Sequence, residues 1–285
     1  MSTPDVPGAP VASGAPSWRP SVVFSDVDGT ILDAAHRVTP RTAAAARALS
    51  EAGIPLVLVS ARMPEALSEI RRGLGSAGPV VCYSGAYVLD AAGAELLSRP
   101  IALGCALEVR DFVACDVPDV TCMAYGYHTW VVSDRSDPRV MREERIVGVS
   151  SVEGSLEEHF SGRGLHKFLL AGEPAAIERA EREVGAAFPS LAVVRSSPIL
   201  CEIMDGRASK TEGIRAVCTY LGVDVSGALS IGDGRNDIDM LRAVPESWAM
   251  SNAPGEVKDA AAHVTACDND HDGFAETIFS VLSGR

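Results

Sequence analysis

Two carboxylates, Asp26 and Asp28, stand two residues apart in Asp26-Val27-Asp28-Gly29-Thr30, directly after the apolar run Ser21–Ser25. Two further apolar runs end on polar residues. Ile54–Val59 leads into Ser60, and Ala228–Gly232 leads into Asp233, followed by Gly234-Arg235-Asn236-Asp237. As strands of one open parallel sheet, these runs deliver Asp26, Ser60 and Asp233 to the rim beyond the strands' carboxyl ends, where ligands gather. Carboxylates converging there repel one another unless a cation sits among them. An all-oxygen donor set favours a hard ion, most simply Mg²⁺. Asp26–Thr30 by itself also suits a polar turn; the three runs together point to a site. Lys210 falls at the first position of a helix capped by Ser209, where the helix dipole disfavours a cation by up to ~1 kcal/mol. An anionic partner, either the aspartate cluster or a bound phosphate, reverses that preference.

The elements that must position these residues are legible around them. Ser21–Ser25, Ile54–Ser60, Pro79–Tyr83 and Ala228–Gly232 are strand-length and rich in Val, Ile and Leu without polar alternation, as expected of parallel strands covered on both faces. Thr39 can cap a helix beginning at Pro40 and ending near Gly53. Pro64 begins another, with Leu67, Ile70 and Leu74 on one face. Ser209-Lys210-Thr211-Glu212 has capping-box spacing, and Ile214, Val217, Cys218 and Leu221 form an apolar stripe. The fold class expected is α/β: a doubly wound parallel-sheet core of residues 21–85 and 204–285. Between them, Thr121–Val132 and Lys167–Ala171 read as strands of a more open sheet and Pro174–Ala187 as a helix. Residues 86–203 are therefore expected to form an inserted α+β domain.

Composition narrows the partners. The chain has 285 residues, 47% of them hydrophobic, and a net charge of −13. That content builds a sizeable core, and the acidic balance argues against nucleic-acid polymers and anionic membranes as partners. No apolar stretch approaches the roughly 20 residues of a membrane span. The seven cysteines are scattered without a C-x-x-C pair, which suits free thiols in a reducing cytoplasm. Residues 1–20 are rich in Pro, Ala, Gly and Ser, lack a signal-peptide pattern, and read as a flexible tail.

DVDGT (Asp26–Thr30), VSAR (Val59–Arg62), Lys210 and GDGRNDIDM (Gly232–Met240) occur in this order. With EIMDGRASK, AMSNAPGEVKDAA and NDHDGFAETI, they resemble the haloacid dehalogenase superfamily, and the insertion resembles the cap of its Cof-type phosphatases. The resemblance implies Asp26 as the nucleophile that forms an aspartyl-phosphate. Asp28 would protonate the leaving oxygen and then activate water. Ser60, Lys210 and Asn236 would hold the phosphoryl group. Mg²⁺ would be bound by the Asp26 carboxylate, the Asp28 backbone carbonyl and Asp233, with Asp237 beside them. Such a site must neutralise charge before a carboxylate can attack a phosphate dianion, and Mg²⁺ and Lys210 would do so.

Two departures stand out. VSAR replaces the commoner T-G-R but keeps a hydroxyl at Ser60. Tyr83-Ser84-Gly85-Ala86 stands where Asn-Gly-Ala is frequent, which shortens a side chain near the substrate. Arg62 is placed for either a substrate contact or a structural ion pair. Glu202 and Arg195 reach the cleft only if strand alternation points them there. The six histidines lack metal-ligand spacing, and Asn269–Gly273 reads as a loop and helix start rather than a calcium loop.

The function expected is a Mg²⁺-dependent phosphatase acting on a small phosphorylated metabolite, a sugar phosphate or a cofactor monophosphate. A phosphotransferase or phosphomutase on the same core is the alternative, and a noncatalytic metabolite-binding module is a more distant one. The sequence leaves oligomeric state and substrate open.

Overall fold

The computed structural model describes residues 18–284. Nearly all of the expected tail lies outside them. Fourteen strands follow in chain order: β1 (Val22–Ser25), β2 (Leu56–Val59), β3 (Val80–Cys82), β4 (Tyr87–Leu89), β5 (Glu95–Ser98), β6 (Thr121–Gly126), β7 (Thr129–Val132), β8 (Val152–Glu153), β9 (Lys167–Ala171), β10 (Leu191–Ser197), β11 (Leu200–Asp205), β12 (Ala228–Gly232), β13 (Glu246–Ala249) and β14 (His263–Val264). They form two sheets, one of eight strands in the order β14-β13-β12-β1-β2-β3-β4-β5 and one of six in the order β10-β11-β9-β6-β7-β8.

The larger sheet is parallel from β14 to β3. Alternate residues of its strands serve opposite helix layers. Val22, Phe24, Val57 and Val59 pack with Ile214 and Val217 of the helix Lys210–Leu221 and with Met240 and Leu241. Val23, Leu56 and Leu58 pack instead with Leu49, Leu67, Ile70 and Ile278 from the helices Pro40–Glu51, Pro64–Leu74 and Gly273–Ser283. Each fully buried aliphatic side chain stabilises by ~1.5–3 kcal/mol, so two covered faces explain why these strands carry no polar alternation. The strand order reverses at β1, which lies between β12 and β2. This is the topological switch point, and it sets the ends of three neighbouring strands at one rim.

Some local expectations hold and others shift. Thr39 accepts a hydrogen bond from Thr42 N at 3.1 Å, the cap that starts the first helix. Ser209 caps Glu212 N at 3.1 Å, but Glu212 turns its carboxylate to Arg215, so the capping box is not reciprocal. Thr121–Val132 is a hairpin, broken at Tyr127 with φ +55°. The first sheet continues beyond residue 86, because β4 and β5 add antiparallel to β3 through a turn closed on Asp90. Asn269–His271 is a single turn ahead of the last helix, and Asn269 donates to Leu32 O at 2.9 Å.

The smaller sheet is antiparallel except for β7–β8. Phe168, Leu170, Cys201 and Ile203 face the helices Leu103–Asp116 and Pro174–Ala187. Their neighbours Lys167, Leu169, Leu200 and Glu202 face a cavity shared with the first sheet. The two sheets also meet at His166, which is fully buried. Its Nδ1 accepts from Tyr127 N at 3.1 Å, so Nε2 carries the proton and donates to Ser98 Oγ at 3.0 Å. Tyr83 stacks on the ring at 5.5 Å, and Tyr87 and Tyr127 each lie 4.6 Å from it. Burial, reinforced by the Arg163 charge, pushes its pKa down from 6.5 to about 3.

A pH dependence of stability follows. The folded protein keeps His166 neutral while the unfolded chain takes up a proton below pH 6.5. The stability this histidine secures is therefore complete above pH 6.5 and is lost as the pH falls toward 3. Each pH unit in that window costs about 1.4 kcal/mol. Urea midpoints at pH 7 and pH 5 should fall more steeply for the wild type than for His166→Gln. Equal slopes would refute this role.

Candidate active site

Asp26 follows β1, with its amide bonded to Ile231 O of β12 at 2.9 Å. Beside it Lys210 is 2% exposed, and its Nζ donates to Asp26 Oδ1 and Asp237 Oδ1, each at 2.5 Å. Lys210 enters from the first turn of its helix, so the sequence argument for an anionic partner resolves to the aspartate pair. Asp237 is 0% exposed, and its Oδ2 accepts from Asp233 N at 3.0 Å and Gly234 N at 2.8 Å. It thereby shapes the loop after β12. Burial disfavours the charge on Lys210, but Asp237 and Asp26 outweigh that and hold its pKa above the ordinary value. For Asp26, burial and then the Asp237 charge drive the pKa well up, against the pull of Lys210.

Asp233 faces Asp26 from the next strand. Thr30 Oγ1 donates to its Oδ1 at 2.9 Å, and Asn252 donates to its Oδ2 at 3.4 Å. Gly29, with φ +79°, lets the first loop come this close, since a Cβ there would lie 2.3 Å from Asp233 Oδ2. Burial and the Asp237 charge push Asp233 up to about 6 despite the Thr30 hydrogen bond. Asp26, Asp233 and Asp237 each present an oxygen within 4.8 Å of the others. Three carboxylates against one ammonium leave an excess of two negative charges. The donor set is all oxygen and crowded, and no hydrogen bond ends on Asp26 Oδ2 among the described residues. These residues fit a divalent hard cation.

Asp28 is held differently. Arg62 forks onto it, Nε to Oδ2 at 2.8 Å and Nη2 to Oδ1 at 2.6 Å, and His36 Nδ1 lies 3.6 Å away. Burial opposes its ionisation, but the Arg62 hydrogen bonds and charge prevail and lower its pKa. Of the two readings of Arg62, the structure shows the ion pair. Ser60, at the end of β2, is buried and accepts from Arg62 N at 3.2 Å. Asn236 is exposed beside Gly234 and lines a cleft with Asp233 and Arg195, and no hydrogen bond joins it to Lys210 among the described residues. Arg195 pairs with Glu181 at 3.4 Å. Tyr83 and Ser84 have φ of +48° and +52°, a strain of order 1–3 kcal/mol each, and the buried Ser84 hydroxyl has no hydrogen-bond partner among the described residues.

Opposite Asp28 and Arg62 lies a cavity walled by Glu143, Lys167, Glu202, Tyr125 and Leu169. Glu143 and Lys167 were not singled out in the sequence. Alternation along β9 and β11 was the available signal, since Lys167 and Glu202 are the polar members on otherwise apolar cleft-facing positions. Burial raises the Glu143 pKa against the opposing charge of Arg142.

A switch-point rim with a buried lysine among aspartates makes a candidate site on an α/β fold. Residues 23–278 match the family model described as haloacid dehalogenase-like hydrolase, and the chain belongs to that family. A Haemophilus influenzae protein named "Putative phosphatase" is 31% identical over 265 residues, covering 89% of this chain and 95% of its own. A haloacid dehalogenase-like hydrolase from Bacteroides thetaiotaomicron shares the fold at TM-score 0.83 and 22% identity, covering 93% of this chain and 99% of that one. A subclass IIB sugar phosphatase is 26% identical at TM-score 0.77, covering 92% of this chain and 99% of its own. The protein is thus a phosphatase-like hydrolase of the haloacid dehalogenase superfamily. No helix among the described residues is long and apolar enough to cross a membrane.

Lys210 should be a keystone of stability as well as of the site. Lys210→Met leaves two buried carboxylates without their counterion, a change that costs about 3–5 kcal/mol. Guanidinium denaturation in metal-free buffer at pH 7 should show a loss of that size. A midpoint unchanged from the wild type would refute the pairing.

Proposed function

We propose that this chain is a Mg²⁺-dependent phosphatase that hydrolyses small phosphorylated metabolites through an aspartyl-phosphate. The observation that carries the reading is the Asp26 carboxylate, fixed through Oδ1 by buried Lys210 and facing Asp233 at the rim. Asp26, Asp233 and the Asp28 backbone carbonyl would hold Mg²⁺, which would neutralise charge on the phosphoryl oxygens. Lys210 and the Ser60 hydroxyl orient the phosphoryl group, and Asn236 closes on it from the loop after β12. Asp26 Oδ2 attacks phosphorus, and the bond to the leaving oxygen breaks. Asp28 gives that oxygen a proton and afterwards takes one from the water that hydrolyses the acyl-phosphate. The Arg62 fork keeps Asp28 ionised, so proton delivery requires this pair to loosen. An incoming phosphoryl dianion competes for the guanidinium and favours that release.

We further infer that the six-stranded sheet, within residues 86–203 and their return strand, serves as a cap that bears on the substrate. Its cleft face supports this division, since polar residues there meet the Asp28 side of the rim. The seven free cysteines fit a cytoplasmic setting. A small metabolite rather than a nucleic-acid polymer fits the net charge of −13.

Chelation should abolish phosphate release and added Mg²⁺ should restore it; full turnover after exhaustive chelation sinks the metal assignment. Asp26→Asn should reduce turnover by about 10³-fold or more, and a folded variant with near-normal activity would sink the nucleophile. Asp28→Asn should be milder on p-nitrophenyl phosphate, whose leaving group needs no proton, than on alkyl phosphates. Free phosphate as product supports hydrolysis, whereas phosphate recovered on an added sugar acceptor would favour the phosphotransferase.

A further inference from the structure

Each of the three carbonyls of the Ser60–Arg62 turn is held from outside the turn. Ser60 O accepts from Ser84 N at 2.9 Å and Arg62 O from Tyr83 N at 3.1 Å, both donors lying in the first-sheet turn where Tyr83 and Ser84 take positive φ. The middle carbonyl is held from the second sheet. Ala61 O accepts from Lys167 Nζ at 2.8 Å, its only donor among the described residues. Lys167 is 5% exposed at the start of β9. Its Nζ lies 3.8 Å from the Glu202 carboxylate and 5.1 Å over the Tyr125 ring, so Ala61 O takes its one short hydrogen bond among the described residues.

The Ala61 carbonyl and the Arg62 N–H belong to one peptide unit. Such a unit is planar and trans, with its C=O and N–H pointing in opposite directions. A donor that fixes Ala61 O therefore fixes the direction of Arg62 N as well. Arg62 N donates to Ser60 Oγ at 3.2 Å. Ser60 is 2% exposed, and with its oxygen accepting this bond its hydroxyl proton is left to donate. It donates to no group among the described residues, at the end of β2 where the phosphoryl group would lie. The contacts thus run in series from Lys167 Nζ through the Ala61–Arg62 peptide to Ser60 Oγ. A cation on the carbonyl also polarises the peptide and strengthens its N–H as a donor. Rotating this unit would withdraw the N–H from Ser60 and release the hydroxyl to other directions.

We propose that Lys167 is a positioning residue for the reaction: from the second sheet it fixes the Ala61–Arg62 peptide unit, which aims the Ser60 hydroxyl at the phosphoryl group. This rests on the phosphatase reading of the same site. Lys167 acts through Ser60, so its loss falls on the group that all monoesters share. The test uses the full chain with Mg²⁺ and measures kcat/KM for p-nitrophenyl phosphate, glycerol 3-phosphate and glucose 6-phosphate, with the inhibition constant of inorganic phosphate. Lys167→Met should lower kcat/KM by about tenfold or more for every ester the wild type cleaves, and weaken phosphate inhibition by a similar factor. Ratios between esters should stay within about twofold. In a Ser60→Ala background, which already lacks the hydroxyl, adding Lys167→Met should lower kcat/KM by no more than about twofold further. Lys167→Met leaves the buried Glu202 without its neighbouring cation. Should that variant fail to fold, Lys167→Met combined with Glu202→Gln balances the charge and should show the same weakening of phosphate inhibition. A folded variant with wild-type kcat/KM and phosphate inhibition, a loss confined to some esters, or a full further loss on Ser60→Ala overturns the role. Failure of the wild type to release phosphate from any ester, p-nitrophenyl phosphate included, overturns the phosphatase reading itself.

Discussion

A buried ammonium between two buried carboxylates governs this molecule. Lys210 stays charged at 2% exposure because Asp26 and Asp237 flank it and outweigh the cost of its burial. The backbone is bent to allow this. Gly85, at φ +95°, lets the Tyr83–Gly85 turn lie against the start of the Lys210 helix, where a Cβ would come within 1.9 Å of Ser209 O. Two preceding residues accept left-handed conformations to make that turn. Asp237 in turn fixes the Asp233–Gly234 backbone. One ion triad therefore aligns the ends of β1 and β12 and the start of a helix. Removing charge from any member disturbs all three elements.

The core of this arrangement was legible in the sequence because parallel strands buried on both faces leave an unmistakable mark. Val22–Ser25, Leu56–Val59 and Ala228–Gly232 carry no polar residue save the small, buried Ser25 and Ser230, so the first polar residue after each run marks the rim. Lys210 was readable for a different reason, a cation at the wrong end of a helix dipole. The cleft face of the second sheet was much less legible. Antiparallel strands alternate, and a lysine or glutamate in such a strand usually faces water. Alternation along β9 and β11 groups Lys167 and Glu202 with Leu169 and Leu200 on one face, but it does not say whether that face meets water or the other sheet. Glu143 was harder still, since its helix carries charge at Arg142, Glu143, Glu144 and Arg145, and periodicity alone does not select one. Arg62 was ambiguous by chemistry, since a guanidinium fork fits a carboxylate and a phosphate equally well.

The two sheets thus divide the chemistry by geometry. Rim residues of the parallel sheet come from loops after strands, so their carboxylates converge on a point. Cleft residues of the antiparallel sheet come from strand faces, so they spread over a surface. A point suits a phosphoryl group that is the same in every monoester, while a surface suits the part of the substrate that varies. Lys167 donates to Ala61 O and lies over the Tyr125 ring, with the Glu202 carboxylate 3.8 Å from its Nζ.

That use of Lys167 also joins the two halves of the site. Ala61 lies between Ser60 and Arg62, so a side chain of the second sheet grips the backbone of the turn that presents both. The same turn is held from the first sheet by Ser84 N on Ser60 O at 2.9 Å and Tyr83 N on Arg62 O at 3.1 Å. Arg62 then transmits its position to Asp28 through two hydrogen bonds. A shift of the second sheet therefore cannot leave the Ser60–Arg62 turn untouched unless the Lys167 bond breaks first. Lys167, the Ser60–Arg62 turn and Asp28 are in this way linked by direct hydrogen bonds across the two sheets.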